Sequence, residues 1–157
     1  MYRCHVTIRS EISAFTRIFL RSRFQQELKT EVDQACRTAE DFTKHYYESM
    51  DKRRHLILRM YMDTSVLVWN GTGTTGKEAI GKFLIDLPVS EHSLWSLDAQ
   101  RVLDQVSNKL AFLIKVTGSV KFSARGTKPF TQTFMITTQD DKWKIVSDCY
   151  RFQELLS

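Results

Sequence analysis

The stretch that decides the fold runs from Trp143 to Gln153 and reads WKIVSDCYRFQ. Large apolar side chains occupy both its odd and its even positions, and polar side chains do the same. A strand with one face in water alternates between apolar and polar residues. The pattern therefore predicts a strand that is covered on both faces, in which the charged groups of Asp148 and Arg151 need partners.

Upstream of this strand, the apolar residues recur with the two-residue period of a sheet from about residue 91 onward. In the second of the predicted strands, one face is apolar throughout, which predicts that it forms the core against the helices. Inward residues on the neighbouring strands are expected to include Trp95, Leu97, Phe130 and Phe134. The predicted strands cover about 91–103, 110–122 and 130–138, followed by the final strand.

The opposite faces of these strands mix apolar and polar side chains. Leu94, Asp98 and Gln100 share this face in the first strand, Leu113 lies on it in the second, and Met135 in the third. Moderate polarity around a few apolar residues is typical of a protein–protein interface. The alternative is an ordinary exposed sheet face with scattered apolar residues. We favour an interface because the final strand also has large apolar side chains on both faces, and both faces therefore need to be covered.

Before the sheet, a period of 3.6 residues predicts three helices. The first begins with a cap at Thr30, the second runs from Asp51 to about Met62, and a capping box over 75–78 starts the third, which Pro88 ends. A short strand over 65–69 lies between them. Helices followed by long antiparallel strands predict an α+β fold with three helices packed on one face of a bent antiparallel sheet.

The charge of the chain is concentrated at its N-terminus. The 157 residues carry a net charge of +5, and residues 1–30 hold +4 of it. We expect residues 1–30 to be a poorly ordered basic extension and residues 31–157 to be one domain. The extension is either a targeting helix or an appended N-terminus. A nearly neutral domain argues against direct nucleic-acid binding, since such a binder carries its basic charge on the domain itself.

Cysteine and histidine usage predicts no bound metal. The three cysteines and four histidines are scattered and form no ligand-spaced pair. Buried thiols in a reducing compartment are expected, with no cofactor. No apolar run approaches the ~20 residues that span a bilayer, so we expect no membrane association.

Several motifs resemble one family. The chain from about Val32 to Gln153 is similar to the nuclear transport factor 2 family, and most closely to its export-related branch. The motifs that carry the resemblance are VDQACR (32–37), MDKRR (50–54), LVWNG (67–71), LP (87–88) with SE (90–91), GSVKF (118–122), WKI (143–145), SDC (147–149) and RFQ (151–153).

The resemblance implies a cone-shaped (cystatin-like) fold whose sheet packs on a partner. In the export branch, that partner is a large, Tap-like mRNA export receptor, and the pair binds the Phe-Gly repeats of nucleoporins and shuttles between nucleus and cytoplasm. RNA is held only indirectly, through the receptor. The aspartate that pairs with a receptor arginine falls on Asp98, and a further interface arginine falls on Arg151. Arg101 and the C-terminal residues 154–156 depart from the branch's pattern, which affects partner preference.

Two other functions have the same fold in related proteins. One is an import carrier for Ran-GDP, but the loop over 123–128 lacks the acidic residues that such a carrier uses, so we expect Ran binding to be weak or absent. The other is an isomerase or dehydratase that uses the cone as its pocket. Its chemistry needs acids or bases inside the cone, whereas the expected inward faces offer only Gln132 and Arg101. No catalytic residue is therefore predicted.

Overall fold

The structure is a computed structural model that describes residues 14–103, 109–123 and 125–154. None of the helices in these ranges is both long and apolar enough to cross a bilayer. In chain order, the elements are α1 (Ala14–Lys52), a 3-10 helix (Arg54–Met60), β1 (Tyr61–Trp69), β2 (Thr72–Thr75), α2 (Lys77–Ile85), β3 (Ser90–Leu103), β4 (Leu110–Phe122), β5 (Arg125–Gln139) and β6 (Lys142–Phe152).

The described chain divides into two compact units, residues 14–31 and residues 32–154. In the first unit, every side chain from Thr16 onward is exposed. The predicted cap at Thr30 is wrong, because this residue lies inside α1 and its hydroxyl donates to the Gln26 carbonyl (3.0 Å). A threonine hydroxyl can return to its own helix in this way instead of capping it. Poor order of the isolated extension stays a prediction, and residues 1–13 lie outside the described ranges.

The second unit contains one mixed sheet with the strand order β2-β1-β6-β5-β4-β3. All neighbours are antiparallel except β1 and β6, which run parallel. The predicted α+β class with three helices is confirmed, one of the three being the 3-10 helix. The purely antiparallel sheet is wrong for the β1–β6 pair, because that pairing joins strands distant in sequence that no local pattern connects.

One face of the sheet, called the inner face below, carries the hydrophobic core. Phe134 is 0% exposed, as predicted; Phe112 is also 0% exposed, Trp69 is 9% exposed, and Phe83 is half-buried against the same core. From α1, the ring of Tyr46 meets Phe134 edge to face, with centroids 4.7 Å apart. Burying aromatic side chains supplies the largest share of such a core's stabilisation.

A change of register in β6 explains its two apolar faces. Ile145 pairs with Ile136 of β5, but Ser147 pairs with Met135, so Val146 has no partner there. Such a bulge reverses the alternation of side chains along the strand. Apart from Val146, the large apolar residues of β6 therefore share one face, so the pattern itself does not require cover on the second face, and its covering by a partner stays a prediction. The inner face holds Trp143, Ile145, Asp148, Tyr150 and Phe152, and the opposite face holds Ser147, Cys149 and Arg151.

A second bulge lies in β3. Leu94 pairs with Gly118 of β4 and Ser96 pairs with Thr117, which leaves Trp95 as the extra residue. The Trp95 side chain is 65% exposed, so its predicted place in the core is wrong. The strands approach closely here because position 118 is glycine, where a Cβ would lie 2.4 Å from the Ser93 carbonyl oxygen.

The bulge in β3 also divides the residues that simple alternation groups together. His92 lies before it, opposite buried Val120, and its side chain is 1% exposed. Asp98 and Gln100 lie after it and are exposed. Leu94 precedes the bulge and pairs with Gly118, so the prediction that it shares a face with Asp98 and Gln100 is wrong.

The segment between the helices also departs from the predictions. The second helix is a 3-10 helix that ends at Met60, and β1 begins at Tyr61 instead of Ser65. No capping box forms before α2, whose N-cap is Gly76 with φ 92° and no side-chain hydrogen bond. The preceding Thr72–Thr75 pairs with β1 as β2. Sheet pairing therefore uses the residues that the capping pattern assigned to the helix.

Arg54 ties the 3-10 helix to the segment that follows α2. Its guanidinium donates to the carbonyl oxygens of Leu87 (2.5 Å) and Pro88 (2.9 Å) and to the Ser90 hydroxyl (2.9 Å). This fan of donors matches the fork geometry of arginine. Arg54 thereby fixes the start of β3, and with it the register of the sheet's edge.

Candidate protein-binding surface

The faces of β3 to β6 that point away from the core form one continuous surface, called the outer face here. Strand pairing aligns its side chains in three rows across the sheet. The central row is Gln100, Leu113, Met135 and Ser147; the charged row is Asp98, Lys115, Thr133 and Cys149; the third row is Ser96, Thr117, Thr131 and Arg151.

The central row supplies the apolar part of the outer face. Leu113 is 37% exposed, and Met135 beside it is half-buried. Gln100 flanks Leu113 on the edge strand. Covering these partly exposed apolar side chains removes apolar surface from water and leaves no polar group without a partner. This row is therefore suited to the middle of an interface.

The charged row places an acid and a base side by side. Asp98 lies directly opposite Lys115, and both side chains are exposed. Within the described ranges, no ion pair shorter than 4 Å includes Asp98. Its carboxylate is therefore available to a cation from outside the chain, with Lys115 as its neighbour across the strands.

The predicted interface residues are largely brought together. Gln100, Leu113 and Met135 are cross-strand neighbours, and Asp98 is in the adjacent row. Arg151 lies three strands from Asp98, or roughly 14 Å at the usual strand spacing. Leu94, beyond the bulge, does not belong to these rows. The role of each of these residues in binding stays a prediction.

Sequence reasoning underrated two residues of the outer face. Lys115 shares the face of Leu113 by simple alternation, but only the register shows that it lies opposite Asp98. Cys149 was expected to be a buried thiol, and this is wrong: it is exposed, and Cys36 is only partly buried. The bulge at Val146 turns Cys149 outward, and alternation along β6 gives no sign of that bulge.

The inner face holds a polar cluster that sequence reasoning missed. Asp148 is 1% exposed, and its carboxylate accepts hydrogen bonds from Tyr61 (2.6 Å), Gln132 (2.8 Å) and Tyr46 (3.2 Å). Tyr47 completes the cluster by donating to the Gln132 amide oxygen (2.7 Å). The need of Asp148 for partners was predicted, but the expectation that no acid points inward is wrong.

Burial dominates the electrostatics of this cluster. It raises the pKa of Asp148 from 3.8 to about 6, against the opposing effect of the hydrogen bonds from Tyr61, Gln132 and Tyr46. The pKa values of Tyr46 and Tyr61 are also raised, first by burial and then by the nearby Asp148 charge. The tyrosines are therefore neutral donors, and only the carboxyl titrates near neutral pH.

A second inward group joins the end of α1 to the start of β3. His92 Nδ1 lies 2.6 Å from the Asp51 carboxylate, which also accepts from the Ser90 hydroxyl (2.7 Å). Burial raises the pKa of Asp51, but the hydrogen bonds and charge of His92 outweigh this effect and bring it below 3.8. His92 also contradicts the expectation that no histidine points inward.

Among the cavities bounded by the described residues, a groove and a smaller cavity lie in the second unit. A groove of about 570 Å³ is lined by Tyr47, Asp51, Ser90, His92 and Lys121, among others. A smaller cavity of about 120 Å³ is lined by Trp69, Leu87, Pro88, Phe122, Lys128 and Phe152. Neither is lined by Asp148, Tyr46 or Tyr61, so these two cavities give no small molecule access to the buried carboxyl.

Comparison with known proteins identifies the family. The model of the nuclear transport factor 2 (NTF2) domain matches residues 38–152. NTF2-related export protein 2 of Mus musculus is 46% identical over 134 residues, which cover 82% of this chain and 94% of the mouse protein. NTF2-related export protein 1 of Bos taurus is 43% identical over 133 residues, with coverages of 82% and 95%.

Solved structures share the fold at lower sequence identity. Nuclear transport factor 2 of Cryptosporidium parvum is 21% identical with a TM-score of 0.67, covering 78% of this chain and 95% of that one. A chain of the Candida albicans Mtr2–Mex67 M domain complex is 17% identical with a TM-score of 0.61, covering 79% and 99%. A putative scytalone dehydratase of Novosphingobium aromaticivorans is 14% identical with a TM-score of 0.61, covering 80% and 89%.

The match covers most of the second unit. The family model begins in α1 and ends at the last residue of β6. The similar proteins named as export proteins match the chain over most of their own length. The chain belongs to the nuclear transport factor 2 family.

Proposed function

We propose that this chain is the non-enzymatic small subunit of a heterodimeric nuclear mRNA export receptor. It pairs through its outer face with a large, Tap-like or Mex67-like subunit. Identities of 43–46% to NTF2-related export proteins support this assignment to the export branch. The observation that carries the proposal is the outer face itself, where a half-exposed apolar row lies beside a charged row with an unpaired acid.

The central row forms the middle of this interface. Gln100, Leu113 and Met135 lie on three neighbouring strands, so a partner sheet that packs across β3 to β5 meets all three at once. Interfaces are typically apolar at their middle and polar at their rim. Cys149 and Arg151, one and two rows away, contribute the polar rim on β6.

Asp98 sets the partner's orientation by pairing with an arginine of the large subunit. A carboxylate at an interface gains most from a bidentate guanidinium, which supplies two parallel hydrogen bonds. Lys115, across from Asp98, is a point charge that cannot give the same geometry.

A charge reversal at Asp98 tests this proposal. Removing one partner of a desolvated charge pair typically costs about 2–5 kcal/mol of binding, and Asp98→Arg adds repulsion from both the receptor arginine and Lys115. The variant should keep its circular dichroism spectrum and lose co-purification with the large subunit. Changing the receptor arginine to aspartate should restore part of the binding.

The matched control is Glu78→Arg, which makes the same change at an exposed position in the first turn of α2, away from the outer face. It should co-purify as well as the unmodified chain does. If Asp98→Arg also co-purifies normally, Asp98 is an ordinary solvated strand residue and the proposed interface is wrong.

As part of this heterodimer, the chain stabilises the large subunit and supports binding of nucleoporin Phe-Gly repeats. The pair shuttles between nucleus and cytoplasm, and RNA is held through the large subunit. The near-neutral charge of the domain supports this division of labour, because direct phosphate binding calls for clustered Lys and Arg. Cross-linking to RNA in cells should depend on the large subunit and disappear with Asp98→Arg.

The two alternatives have weaker support. A carrier of Ran-GDP needs acidic residues to receive a basic partner, whereas Lys128 is the charged residue that lines the smaller cavity. An isomerase or dehydratase would need a substrate to reach Asp148, which is 1% exposed and fully engaged with neutral donors. Both inward polar groups, Asp148 and His92, have their hydrogen bonds satisfied inside the fold and so serve its structure.

A further inference from the structure

The buried cluster around Asp148 contains an acid without a base. In the described part of the chain, no Lys, Arg or His nitrogen lies within 4 Å of its carboxylate. All three of its donors are neutral groups, and the contact with Tyr46, at 3.2 Å, is longer than a typical O–H···O hydrogen bond. An ionised carboxylate in the core is costly unless it is paired, so this arrangement compensates the charge poorly.

The same atoms also accommodate the protonated acid. Asp148 Oδ2, the Tyr46 hydroxyl and the Tyr61 hydroxyl form a triangle with sides of 3.2, 3.2 and 2.6 Å. With a proton on Oδ2, Asp148 can donate to Tyr46, Tyr46 to Tyr61, and Tyr61 back to Oδ2. Each hydroxyl then donates once, the Tyr46 oxygen accepts from both Asp148 and the Gln132 amide, and Gln132 still donates to Oδ1. No buried polar group loses its partner when the proton arrives.

We propose that Asp148 is a proton-binding site in the core, which takes up a proton from solvent in the folded chain under mildly acidic conditions and closes a ring of hydrogen bonds with Tyr46 and Tyr61. The proton goes onto Oδ2, and the only charge that changes is that of the carboxyl. Tyr46 turns its hydroxyl from Oδ2 to the Tyr61 oxygen, Tyr61 keeps donating to Oδ2, and both rings stay in place.

The charged and titratable groups around the site do not oppose this proton. They are Tyr46 and Tyr47 from α1, Tyr61 from β1, and Tyr150 from β6, with the amide of Gln132 from β5 between them. Beyond Tyr150 lies the Asp51–His92 pair, whose histidine is 3.4 Å from the Tyr150 hydroxyl. Further out lie full charges of both signs, Asp51 with its histidine and Arg54, and Arg54 acts on Asp51 and on Tyr46.

The site makes the folded state bind a proton more tightly than the unfolded state. The pKa of Asp148 is about 6 in the fold against 3.8 for an ordinary aspartate. A group with a raised pKa contributes stability that is fully present below pH 3.8 and is lost as the pH rises through about 6. This direction is opposite to that of the usual paired carboxylate, which destabilises a fold when it is protonated.

Carbon-detected NMR of the full chain, with 13C-labelled aspartate, tests the proposal directly. The Asp148 carboxyl carbon should titrate with a midpoint at about 6. Its resonance is assigned as the one absent from Asp148→Asn, and the control Asp63→Asn, at a side chain that is 90% exposed, should leave it in place. A midpoint below about 4.5, near the ordinary range for aspartate, overturns the proposal.

Tyr61→Phe provides a second test that keeps the acid. It removes the shortest hydrogen bond to the carboxylate, and a bond to a charged acceptor is stronger than one to a neutral acceptor. The ionised form should lose more than the protonated form, so the titration midpoint should move to higher pH. An unchanged or lower midpoint would show that Tyr61 is not part of the proton site.

A folding measurement supplies the third arm. Relative to Asp148→Asn, the unfolding equilibrium constant of the unmodified chain should rise on the order of 100-fold between about pH 4 and about pH 7, since each unit of pKa difference is tenfold. Equal pH dependence in the two chains overturns the proposal. Should Asp148→Asn not fold, the Asp148 carboxyl carbon is assigned instead by its correlation to the Asp148 backbone, and the NMR titrations of the unmodified chain and of Tyr61→Phe decide.

Discussion

The inner and outer faces of strands β3 to β6 differ in whether their polar groups have partners within the chain. On the inner face, in the described residues, no buried side-chain nitrogen or oxygen lacks a hydrogen-bond partner, even around Asp148. On the outer face, Asp98 has no ion-pair partner within 4 Å. The inner face satisfies its polar groups within the fold and so stabilises it. The outer face leaves the Asp98 carboxylate available to a group from outside the chain.

Neighbouring residues Phe112 and Leu113 are the sharpest instance of this comparison. Phe112 is 0% exposed, between Trp143 and the core, and Leu113 is 37% exposed in the central row. Phe112→Ala should lower the free energy of unfolding by about 3–5 kcal/mol, the usual range for a buried aromatic residue. Urea denaturation measures this, and a loss well under 1 kcal/mol would mean that the faces of β4 are reversed.

Gly118→Ala tests the bulge in β3, the point at which the side chains of this strand change from one face of the sheet to the other. The new methyl group would meet the Ser93 carbonyl oxygen, which is backbone and cannot rotate away. Overpacking of this kind typically costs about 1–3 kcal/mol. Urea denaturation should show this loss, and Gly126→Ala, where a Cβ meets nothing within 4 Å, is the matched control. Equal stability of the two variants would show that the bulge adapts freely.

Leu113→Ala tests the outer face of β4, where the effect on binding should exceed the effect on stability. In the free chain it should cost about 1 kcal/mol or less, because the side chain is only partly buried. In the proposed heterodimer it should weaken binding by more than about 1 kcal/mol, as expected for a residue near the middle of an interface. Calorimetry with the large subunit measures the second effect. Loss of stability without loss of binding would place Leu113 outside the interface.

The smallest effect is expected from the N-terminal extension. Deleting residues 1–30 removes side chains that, from Thr16 onward, are exposed. The new terminus would place Glu31 and Asp33 in the first turn of α1, where acids favour the helix. Folding and binding should therefore change by less than about 0.5 kcal/mol. Loss of the complex after this deletion would mean that binding involves the extension as well as the two faces.

How far the sequence predicts the fold depends on whether alternation continues unbroken. In β4 it does, and both faces were predicted from Phe112, Leu113 and their neighbours. In β3 and β6, one extra residue each, Trp95 and Val146, reverses the faces halfway. An inserted residue of this kind leaves no compositional mark, so Trp95 was assigned inward and Asp148 was not recognised as an internal group.

The candidate site was predicted better than the core cluster, for a physical reason. The residues Gln100, Leu113 and Met135 are joined by pairing between consecutive strands, which the sequence order already implies. The partners of Asp148 come from α1, β1 and β5, and Tyr46 is 102 residues away. Neither the parallel pairing of β1 with β6 nor the path of α1 over the sheet can be deduced from local periodicity.

The place of β6 in the sheet has a consequence for synthesis of the chain. This strand is the last in sequence, yet it lies between β1 and β5, and the Ser65 hydroxyl donates to the Ile145 carbonyl 80 residues further on. Until the ribosome releases the C-terminal segment, β1 and β2 form a hairpin with no neighbour and β5 has an open edge. Unpaired edges of this kind are prone to aggregate, and pairings that are distant in sequence form slowly. The nascent chain therefore exposes unpaired strand edges until β6 emerges, and a premature stop before β6 would leave β2–β1 and β5–β4–β3 without the strand that joins them in the sheet.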